Sequence, residues 1–361
     1  MNIHILYSER SYHNLTIING LERLKQNNSI YYLVGTVKDR EKYQSLCSDT
    51  LEKLVFISPC LFLLKFLFLF YKRSSKFYFH GFYKLIFVLN CILCGFSLRR
   101  NGTWICWGSG LNKSSNHRFN IIFEFVKRII YSSFEHVGVL MFPDAQRLSE
   151  ILKIDVDKIS VVPYIQEFPL FKKEKPNDGY INVLIGNHAD PYHEHEKHLY
   201  ALKRLSNSHK IKVILFLNYS VIDKDYVNRV VELAEKLFPG RNECYLDVLS
   251  NQDYQFVIKK VNLLIISVKW QTGLGAIYNV ISSSGCVMLD DEGFNKRWLD
   301  YIGIHTLSLK SLQADELQLL PEALISSNVD IFNEFFDPDR VRKCWMKLLK
   351  LSEKKHNDFV R

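Results

Sequence analysis

The stretch Ile181–His198 reads I-N-V-L-I-G-N-H-A-D-P-Y-H-E-H-E-K-H, and it decides the fold class. A short run typical of a β-strand breaks at Gly186, turns at Asp190-Pro191 and continues in a helical pattern. This order predicts a strand, a loop and a helix N-terminus, and ligands of open α/β sheets collect at the carboxyl ends of strands. Polar side chains at this point are therefore candidates for a site wall, although a solvated connecting loop would show the same pattern. The candidates are Asn187, His188, Asp190, His193, Glu194 and His195.

The length of 361 residues and the hydrophobic content of 47% predict a globular chain with two domains. Met1–Leu6 has the pattern of a strand and not that of a secretory signal. In a chain without such a signal, we expect the eight cysteines to be reduced thiols in a cytosolic compartment.

The net charge of +9 is unevenly distributed along the chain. The first 175 residues contain 24 Lys and Arg against 14 Asp and Glu, whereas the rest of the chain contains 23 against 24. No carboxylate occurs between Glu52 and Glu124. Because basic surfaces attract anionic ones, this asymmetry predicts different partners for the two halves.

Within the basic half, Leu61–Tyr71 reads L-F-L-L-K-F-L-F-L-F-Y and is followed by K-R-S-S-K. The run is roughly half of the ~20 residues that a membrane-spanning helix needs, and Lys65 interrupts it. A Phe-rich helix flanked by cations suits the surface of an anionic bilayer. We therefore predict that Leu61–Lys76 contacts the membrane surface, with a helix wholly buried against the sheet as the alternative.

Strands and helices alternate along the first half, which predicts a parallel, Rossmann-like sheet. One strand ends in F-Y-F-H-G, so His80 lies at its carboxyl end, and another ends in W-G-S-G at Trp107 and Gly108. A proline-rich, charged segment around residues 163–178 indicates a linker. We predict an N-terminal domain over 1–165, a linker over 166–180, a C-terminal Rossmann-like domain over 181–336 and a final helix over 337–361.

In the second half, Gln271–Gly275 (Q-T-G-L-G) follows an apolar strand and opens an apolar helix. Free N–H groups at a helix N-terminus suit a diphosphate, glycines let a ligand approach the backbone, and Lys269 could add charge. Plain packing of the helix on the sheet is the alternative. The clustered histidines suggest a metal site, but no cysteine or carboxylate has suitable ligand spacing, so we expect no metal.

Five spaced blocks carry a resemblance to a known family. They are Phe77–Gly81, Trp104–Gly108, Gly186–His195, Gln271–Gly275 and Ser284–Val287. The chain resembles glycosyltransferase family 56, the bacterial transferases that move 4-acetamido-4,6-dideoxy-D-galactose (Fuc4NAc) from a dTDP-sugar to lipid II in enterobacterial common antigen synthesis. The family's G-N-S-x-D-x-x-x-E-H pattern is present with histidine in place of serine, and its Q-G-I-G helix start is similar to Q-T-G-L-G.

The resemblance implies an α/β GT-B fold with two Rossmann-like domains facing across a cleft, and glycosyl transfer without a metal or cofactor. The implied acceptor is an undecaprenyl-diphosphate-linked saccharide at the cytoplasmic face of the bacterial inner membrane, where the protein would be peripheral, and no nucleic acid partner is expected. The implied acceptor-binding residues are Trp104, Trp107, Gly108 and Arg118. The implied donor-binding residues are Gly186, Asn187, Asp190, Tyr219, Lys269, Gln271, Thr272, Gly273 and Gly275.

His80 is the first candidate for the general base on the acceptor hydroxyl, because an imidazole titrates near neutral pH. Glu194 and His195 are the second candidate pair, and a structural histidine is the alternative for His80.

One departure from the family bears on the substrate. Where the family has G-A-D-L-Y after the second tryptophan, this chain has G-S-G-L-N, so the carboxylate is missing at Ser109-Gly110. The protein then either uses another group or prefers a different sugar. Two other functions stay open: a GT-B-like epimerase of nucleotide sugars, which would not explain the membrane-suited helix, and a non-catalytic membrane-associated scaffold of a polysaccharide assembly complex.

Overall fold

The structure is a computed structural model that describes residues 1–8, 11–24, 29–46, 51–62, 64–65, 75–81, 101–107, 128–155, 158–166, 168, 178–218 and 223–357. The chain divides into two compact units. The first unit contains Met1–Glu167 and Pro338–Arg361, and the second contains Phe168–Asp337. The last helix therefore belongs to the same unit as the N-terminal part of the chain, which the sequence pattern does not indicate.

The first unit is built on a parallel sheet with alternating helices, as the sequence predicts. Its strands are β1 (Asn2–Tyr7), β2 (Ser29–Val34), β3 (Leu54–Ile57), β4 (Lys76–His80), β5 (Gly102–Cys106), β6 (His136–Val139) and β7 (Ile159–Val161). Its described helices, numbered in chain order, are α1 (Ser11–Arg23), α2 (Val37–Leu46), α3 (Phe142–Leu152) and α11 (Pro338–Asn357). The strand order is β3-β2-β1-β4-β5-β6-β7.

The second unit repeats this plan with six parallel strands. They are β8 (Ile181–Ile185), β9 (Ile211–Phe216), β10 (Asn242–Tyr245), β11 (Leu263–Ile266), β12 (Cys286–Leu289) and β13 (Leu307–Ser308), in the order β10-β9-β8-β11-β12-β13. Its helices are α4 (His195–Leu205), α5 (Lys224–Leu237), α6 (Asn251–Lys260), α7 (Leu274–Ser282), α8 (Phe294–Tyr301), α9 (Leu309–Gln313) and α10 (Glu322–Phe335).

Both sheets reverse their strand order at the corresponding place. In the first unit the reversal lies between β1 and β4, and in the second it lies between β8 and β11. Connections on the two sides of such a switch point leave toward opposite faces of the sheet and open a crevice at the carboxyl ends of the strands. The loops after β4, β8 and β11 are therefore the places where a ligand site is expected.

Alternation along the strands separates two faces of the first sheet. One face is an apolar core that includes Ile5, Phe79 and Trp104. The other face contains His4, whose register partners are Tyr31 on β2 and Tyr78 on β4. Parallel pairing in this register places the three side chains in one row on the same face of the sheet.

Helix α11 packs onto the first unit through two long-range hydrogen bonds. The buried Trp345 indole donates to the Pro163 carbonyl at 2.8 Å, and the Tyr78 hydroxyl donates to the Leu349 carbonyl at 3.2 Å. Both donors are buried, and a buried donor without a hydrogen-bond partner would destabilise the fold by about 1–3 kcal/mol. They fix the end of the chain against the face of the sheet that carries Tyr78.

The predicted membrane-contacting segment is described only in part. Leu61 and Leu64 are 60% and 62% exposed, whereas Phe62 is buried. Lys76 does not belong to a charged surface as predicted, because it begins β4 and is only 7% exposed. Among the helices that the structure describes, none is both long enough and apolar enough to cross a bilayer.

Candidate active site

In the loop after β8, two histidine side chains pack closely against the backbone of Gly186. Gly186 has φ +66°, and a Cβ atom there would lie 2.8 Å from His195 Nε2 and 2.9 Å from His193 Cγ. Only glycine combines this left-handed conformation with so close an approach. The sequence break at Gly186 is therefore a packing requirement as well as a turn.

His193 of this loop and His195 and His198 of α4 are buried. The rings of His188 and His193 are joined by a hydrogen bond between Nδ1 and Nε2 at 2.9 Å, and His195 Nδ1 lies 2.8 Å from the Tyr226 hydroxyl. Burial lowers the pKa of His193 to about 2, that of His195 to about 3 and that of His198 to about 4. In the part of the chain that the structure describes, no group of three or more potential ligands is arranged to hold a metal ion.

The two carboxylates of the loop support its shape. Asp190 caps the short 3-10 helix Pro191–His193, and its Oδ1 accepts from the Tyr192 amide at 3.0 Å. Glu194 has φ 50° and is exposed, with its carboxylate 2.8 Å from Lys197 Nζ. His195 is fully buried. The second pair of candidates for the general base therefore consists of Glu194, an exposed carboxylate in an ion pair, and His195, a buried imidazole with a low pKa.

The loop after β11 brings a helix N-terminus to the same edge of the sheet. Gly273 precedes α7 with φ +65°, and a Cβ atom there would lie 2.8 Å from Asn187 Oδ1. The Asn187 side chain therefore adjoins the first turn of α7, whose backbone N–H groups have no partner within the helix. These amides and the partial positive charge of the helix end form a candidate anion site.

Two amide side chains at this edge have oxygens without a partner. Asn187 Oδ1 and Gln271 Oε1 are buried and accept no hydrogen bond from any described residue. A buried acceptor without a donor costs about 1–3 kcal/mol, so such atoms favour a ligand that supplies an N–H or O–H group. The predicted residues Asn187, Gln271 and Gly273 thus lie together at the β8/β11 switch point.

The backbone of the loop is fixed by two asparagines that sequence reasoning missed. Asn295 Nδ2 donates to the Thr272 carbonyl at 2.7 Å, and Asn279 Nδ2 donates to the Gly275 carbonyl at 2.7 Å. Asn295 lies at the start of α8, so no local sequence signal connects it to the loop that it holds. Thr272 and Gly275 therefore contribute backbone geometry to the site.

Lys269, which the sequence suggested as an added charge for the anion site, is paired with a carboxylate. Its side chain is exposed, and its Nζ lies 2.5 Å from Glu292 Oε2. This ion pair, followed by the charge of Asp290, raises the pKa of Lys269, so the amine stays protonated but is engaged by carboxylates. The anion site therefore depends on backbone amides more than on this lysine.

In the first unit, His80 lies at the carboxyl end of β4, at the β1/β4 switch point. It is 5% exposed, and its Nε2 lies 3.0 Å from His4 Nδ1. The Trp107 ring stacks on His80 at a centroid distance of 6.0 Å, and the His13 ring meets Trp107 edge-on at 4.9 Å. His13 Nδ1 also lies 3.2 Å from the Tyr164 hydroxyl, so aromatic side chains from several different elements gather here.

The surroundings of His80 give it a pKa well below its ordinary value, not one near neutral pH as predicted. Burial is the main cause, and the neighbouring His4 and His13 add repulsion that also lowers the pKa. The imidazole is therefore uncharged at neutral pH, which is the state that a general base requires. Its Nδ1 accepts or donates no hydrogen bond within the described ranges.

The structure separates the two predicted tryptophans. Trp107 joins the His80 cluster, but Trp104 lies on the opposite face of the sheet, is 0% exposed and stacks on Tyr131 at 4.0 Å. Trp104 is thus a core residue and not an acceptor-binding residue, because strand alternation points it into the apolar core. The predicted residues Gly108, Arg118 and Tyr219 lie outside the described residues.

A buried carboxyl group at the same edge of the first sheet also escaped sequence reasoning. Asp144 lies in the first turn of α3, after β6, and is 2% exposed. Burial raises its pKa to about 7, although the charge of Arg147 opposes the shift. Asp144 can therefore gain or lose a proton near neutral pH. From the sequence alone, an aspartate at the start of a helix indicates only a structural role.

Solved structures of the same architecture cover almost the whole chain. Anabaena HepE in complex with UDP-glucose matches with a TM-score of 0.69 at 10% identity, over 97% of this chain and 99% of that chain. The N-terminal domain of Candida albicans trehalose-6-phosphate phosphatase gives a TM-score of 0.66 at 9% identity, over 97% and 96%. The lipopolysaccharide outer core galactosyltransferase WaaB in its apo form gives 0.64 at 12% identity, over 97% and 99%.

Two Rossmann-like units of this kind, with strand-end loops at each switch point, define the GT-B fold. The particular family follows from the sequence. The family model described as 4-alpha-L-fucosyltransferase, glycosyl transferase group 56, matches residues 1–354, and the chain belongs to this family. The predicted family and the predicted fold class are confirmed, and the protein is a transferase.

Proposed function

We propose that this protein moves a Fuc4NAc-like deoxyamino sugar from a dTDP-sugar to an undecaprenyl-diphosphate-linked saccharide in the synthesis of a surface polysaccharide, either O-antigen or enterobacterial common antigen. The observation that carries the proposal is the N-terminus of α7 beside Asn187 at the β8/β11 switch point. A nucleotide sugar is a diphosphate ester, and a helix N-terminus at a sheet's switch point is suited to bind one.

The polar groups around this helix start support a sugar, including an acetamido sugar, as the transferred group. The oxygens of Asn187 and Gln271 are buried acceptors without a donor in the described chain. An acetamido group supplies an N–H and a sugar ring supplies O–H groups, so either would satisfy them. Anabaena HepE, which has a similar fold, was solved with UDP-glucose, and this supports a nucleotide sugar as the donor class.

The chemistry divides between the two units. In the first unit, His80 Nδ1 takes the proton of the acceptor hydroxyl while the acceptor oxygen bonds to the anomeric carbon. The bond between that carbon and the diphosphate oxygen breaks, and dTDP leaves with the electron pair. In the second unit, the amides of the first turn of α7 stabilise the charge that develops on the departing diphosphate. Transfer by this route requires no metal ion, so activity should survive chelation of divalent cations with EDTA.

A donor screen tests the proposal directly. The purified chain is incubated with a panel of dTDP-sugars and UDP-sugars, with and without undecaprenyl-diphosphate-linked saccharide, and the products are read by mass spectrometry. We expect release of dTDP and a heavier lipid-linked product only when the acceptor is present. A nucleotide sugar isomerised without acceptor would instead identify an epimerase, and membrane binding without turnover of any donor would identify a scaffold.

We also propose that the protein lies at the cytoplasmic face of the inner membrane and contacts it through Leu61–Lys76. Replacing the exposed Leu61 and Leu64 with glutamate should weaken binding to phosphatidylglycerol vesicles at least about tenfold, because two apolar side chains and the local positive balance are lost. Vesicle flotation measures the bound fraction.

The matched control changes Leu246 and Val248 to glutamate. These residues are 50% and 46% exposed and lie in the second unit, so the control adds the same charge away from the proposed surface. Flotation that decreases equally in both double variants would show a general charge effect, and flotation unchanged by the first pair would remove this segment as the contact.

A further inference from the structure

His4 is a buried histidine that the proposed chemistry leaves unused. It lies in the middle of β1, is 0% exposed, and stacks between Tyr31 at 5.1 Å and Tyr78 at 4.8 Å. The strand register explains the arrangement, because both tyrosines are its direct partners on the neighbouring strands. His80 follows Tyr78 by two residues on β4 and so lies on the same face, which brings its Nε2 to 3.0 Å from His4 Nδ1.

The hydrogen bond between the two imidazoles has two possible directions, and they have different chemical consequences. If His4 Nδ1–H donates, the proton of neutral His80 is on Nδ1, and that atom cannot act as a base. If His80 Nε2–H donates to His4 Nδ1, then Nδ1 of His80 carries a lone pair. That atom is buried and has no hydrogen-bond partner among the described residues, so its lone pair remains for a substrate hydroxyl.

We propose that His4 is the positioning residue of the transfer reaction, accepting the Nε2–H of His80 and thereby presenting the lone pair of His80 Nδ1 to the acceptor hydroxyl. The proposal rests on the proposed role of His80 as the base. When the hydroxyl proton reaches His80 Nδ1, the Nε2–H to His4 becomes an ionic hydrogen bond, which is about twice as strong as a neutral one.

The rings around His4 hold its imidazole in position to accept from His80. Tyr31 and Tyr78 both stack on the His4 ring, which keeps Nδ1 beside His80 Nε2. Tyr31 donates to Glu22 Oε1 at 2.7 Å, which holds the first ring in place. Tyr78 donates to the Leu349 carbonyl, so α11 holds the second ring in place. The His4 ring is thus held from both sides, with its Nδ1 beside His80.

The charged and titratable groups that face His80 come from two described elements. His4 approaches from β1 and His13 from α1, and burial is the main cause of the lowered pKa of His80, ahead of these two neighbours. His4 itself has a pKa lowered to about 3 by burial, so it is neutral at neutral pH and able to accept the Nε2–H of His80.

Two substitutions separate the roles of His4. In His4→Phe a flat ring still fills the space between the tyrosines, but no nitrogen accepts from His80. In His4→Asn the carboxamide oxygen replaces Nδ1 as the acceptor. We expect His4→Phe to lower kcat at least about tenfold with donor KM unchanged, and His4→Asn to retain most of kcat.

The direction of the hydrogen bond is measured without turnover. Nitrogen-15 NMR of the full chain labelled at histidine distinguishes a protonated ring nitrogen from one with a lone pair, and the His80 signals are identified by their loss in His80→Phe. We expect His80 to carry its proton on Nε2 in the wild type and in His4→Asn. A proton on Nδ1 in the wild type, or wild-type kcat in His4→Phe, overturns the proposal.

The same set of variants distinguishes failure of this inference from failure of the proposed base. If His80→Phe is inactive but His4→Phe is normal, His80 acts without positioning by His4. If His80→Phe keeps its activity, the base is another group, although the NMR result still decides the direction of the bond. In the His80→Phe background, His4→Phe should have no further effect on kcat.

Discussion

Replacing Gly273 with valine should weaken the binding of dTDP by about 100-fold or more, with the fold retained. Gly273 has φ +65°, a conformation that a β-branched residue adopts only under strain, and its Cβ would lie 2.8 Å from Asn187 Oδ1. Both effects act on the first turn of α7, whose amides form the proposed diphosphate site. Loss of two charge-assisted hydrogen bonds of about 1.5–3 kcal/mol each corresponds to this change in Kd. Calorimetric titration with dTDP measures it.

The chain offers a matched control for this substitution. Gly240 has φ +64° and lies in an exposed turn after α5 in the same unit, where an added Cβ atom would meet no described atom within 4 Å. Gly240→Val therefore imposes the same backbone strain without reaching the loop. We expect its dTDP affinity to equal that of the wild type. Equal affinities of Gly273→Val and wild type would remove the helix N-terminus as the diphosphate site.

The sequence predicts the strand-end positions well because the pattern that marks them is local. The strand Ile181–Ile185 is observed with the bounds that its apolar run indicates. Farther along the chain, Asp223 caps α5 by accepting from the amides of Asp225 and Tyr226. Apolar runs, glycine breaks and capping residues are properties of a few neighbouring residues. They also place His80 correctly at the end of a strand and Gly273 correctly at the start of a helix.

Contacts between strands depend on register, and the sequence does not show register. In N-I-H-I-L-Y, His4 looks like a polar residue of an ordinary strand, yet pairing with β2 and β4 buries it between two tyrosines. The environment of Trp104 is missed for the same reason, because strand alternation directs its side chain into the apolar core. Trp107 lies just beyond the strand, and its ring stacks on His80. A resemblance that matches residues in blocks cannot distinguish these two environments.

Tertiary packing also decides elements that local pattern does not indicate. Helix α10 is absent from the predicted elements, and its Phe332 is buried by the rings of Phe168, Tyr278 and Phe336. Likewise, the pKa of His80 is set by burial and by two histidines distant in sequence, so a prediction based on a free imidazole gives the wrong range. The identity of a candidate base follows from local sequence, but its protonation depends on the assembled fold.

Replacing His80 with phenylalanine should lower kcat for transfer to the lipid-linked acceptor by about 100-fold or more, the usual contribution of a general base. Phenylalanine keeps a ring against Trp107 and fills the same buried space, so the change removes the nitrogens with little loss of packing. Donor affinity should stay unchanged, because the proposed dTDP site lies in the second unit. Initial rates at saturating donor and acceptor, together with dTDP titration, separate the two quantities.

A cavity variant gives an independent reading of the same role. In His80→Ala the ring is missing, and added imidazole should restore part of the lost rate if a proton acceptor is all that the site lacks. Asp144→Asn is the parallel variant, since Asp144 is buried at the same edge of the sheet with a pKa raised to about 7 and is the next group able to accept a proton there. A near-normal kcat in His80→Phe together with a large loss of kcat in Asp144→Asn would assign the base to the carboxyl group of Asp144. A large loss of kcat in His80→Phe, together with recovery of kcat by imidazole in His80→Ala, assigns the base to His80.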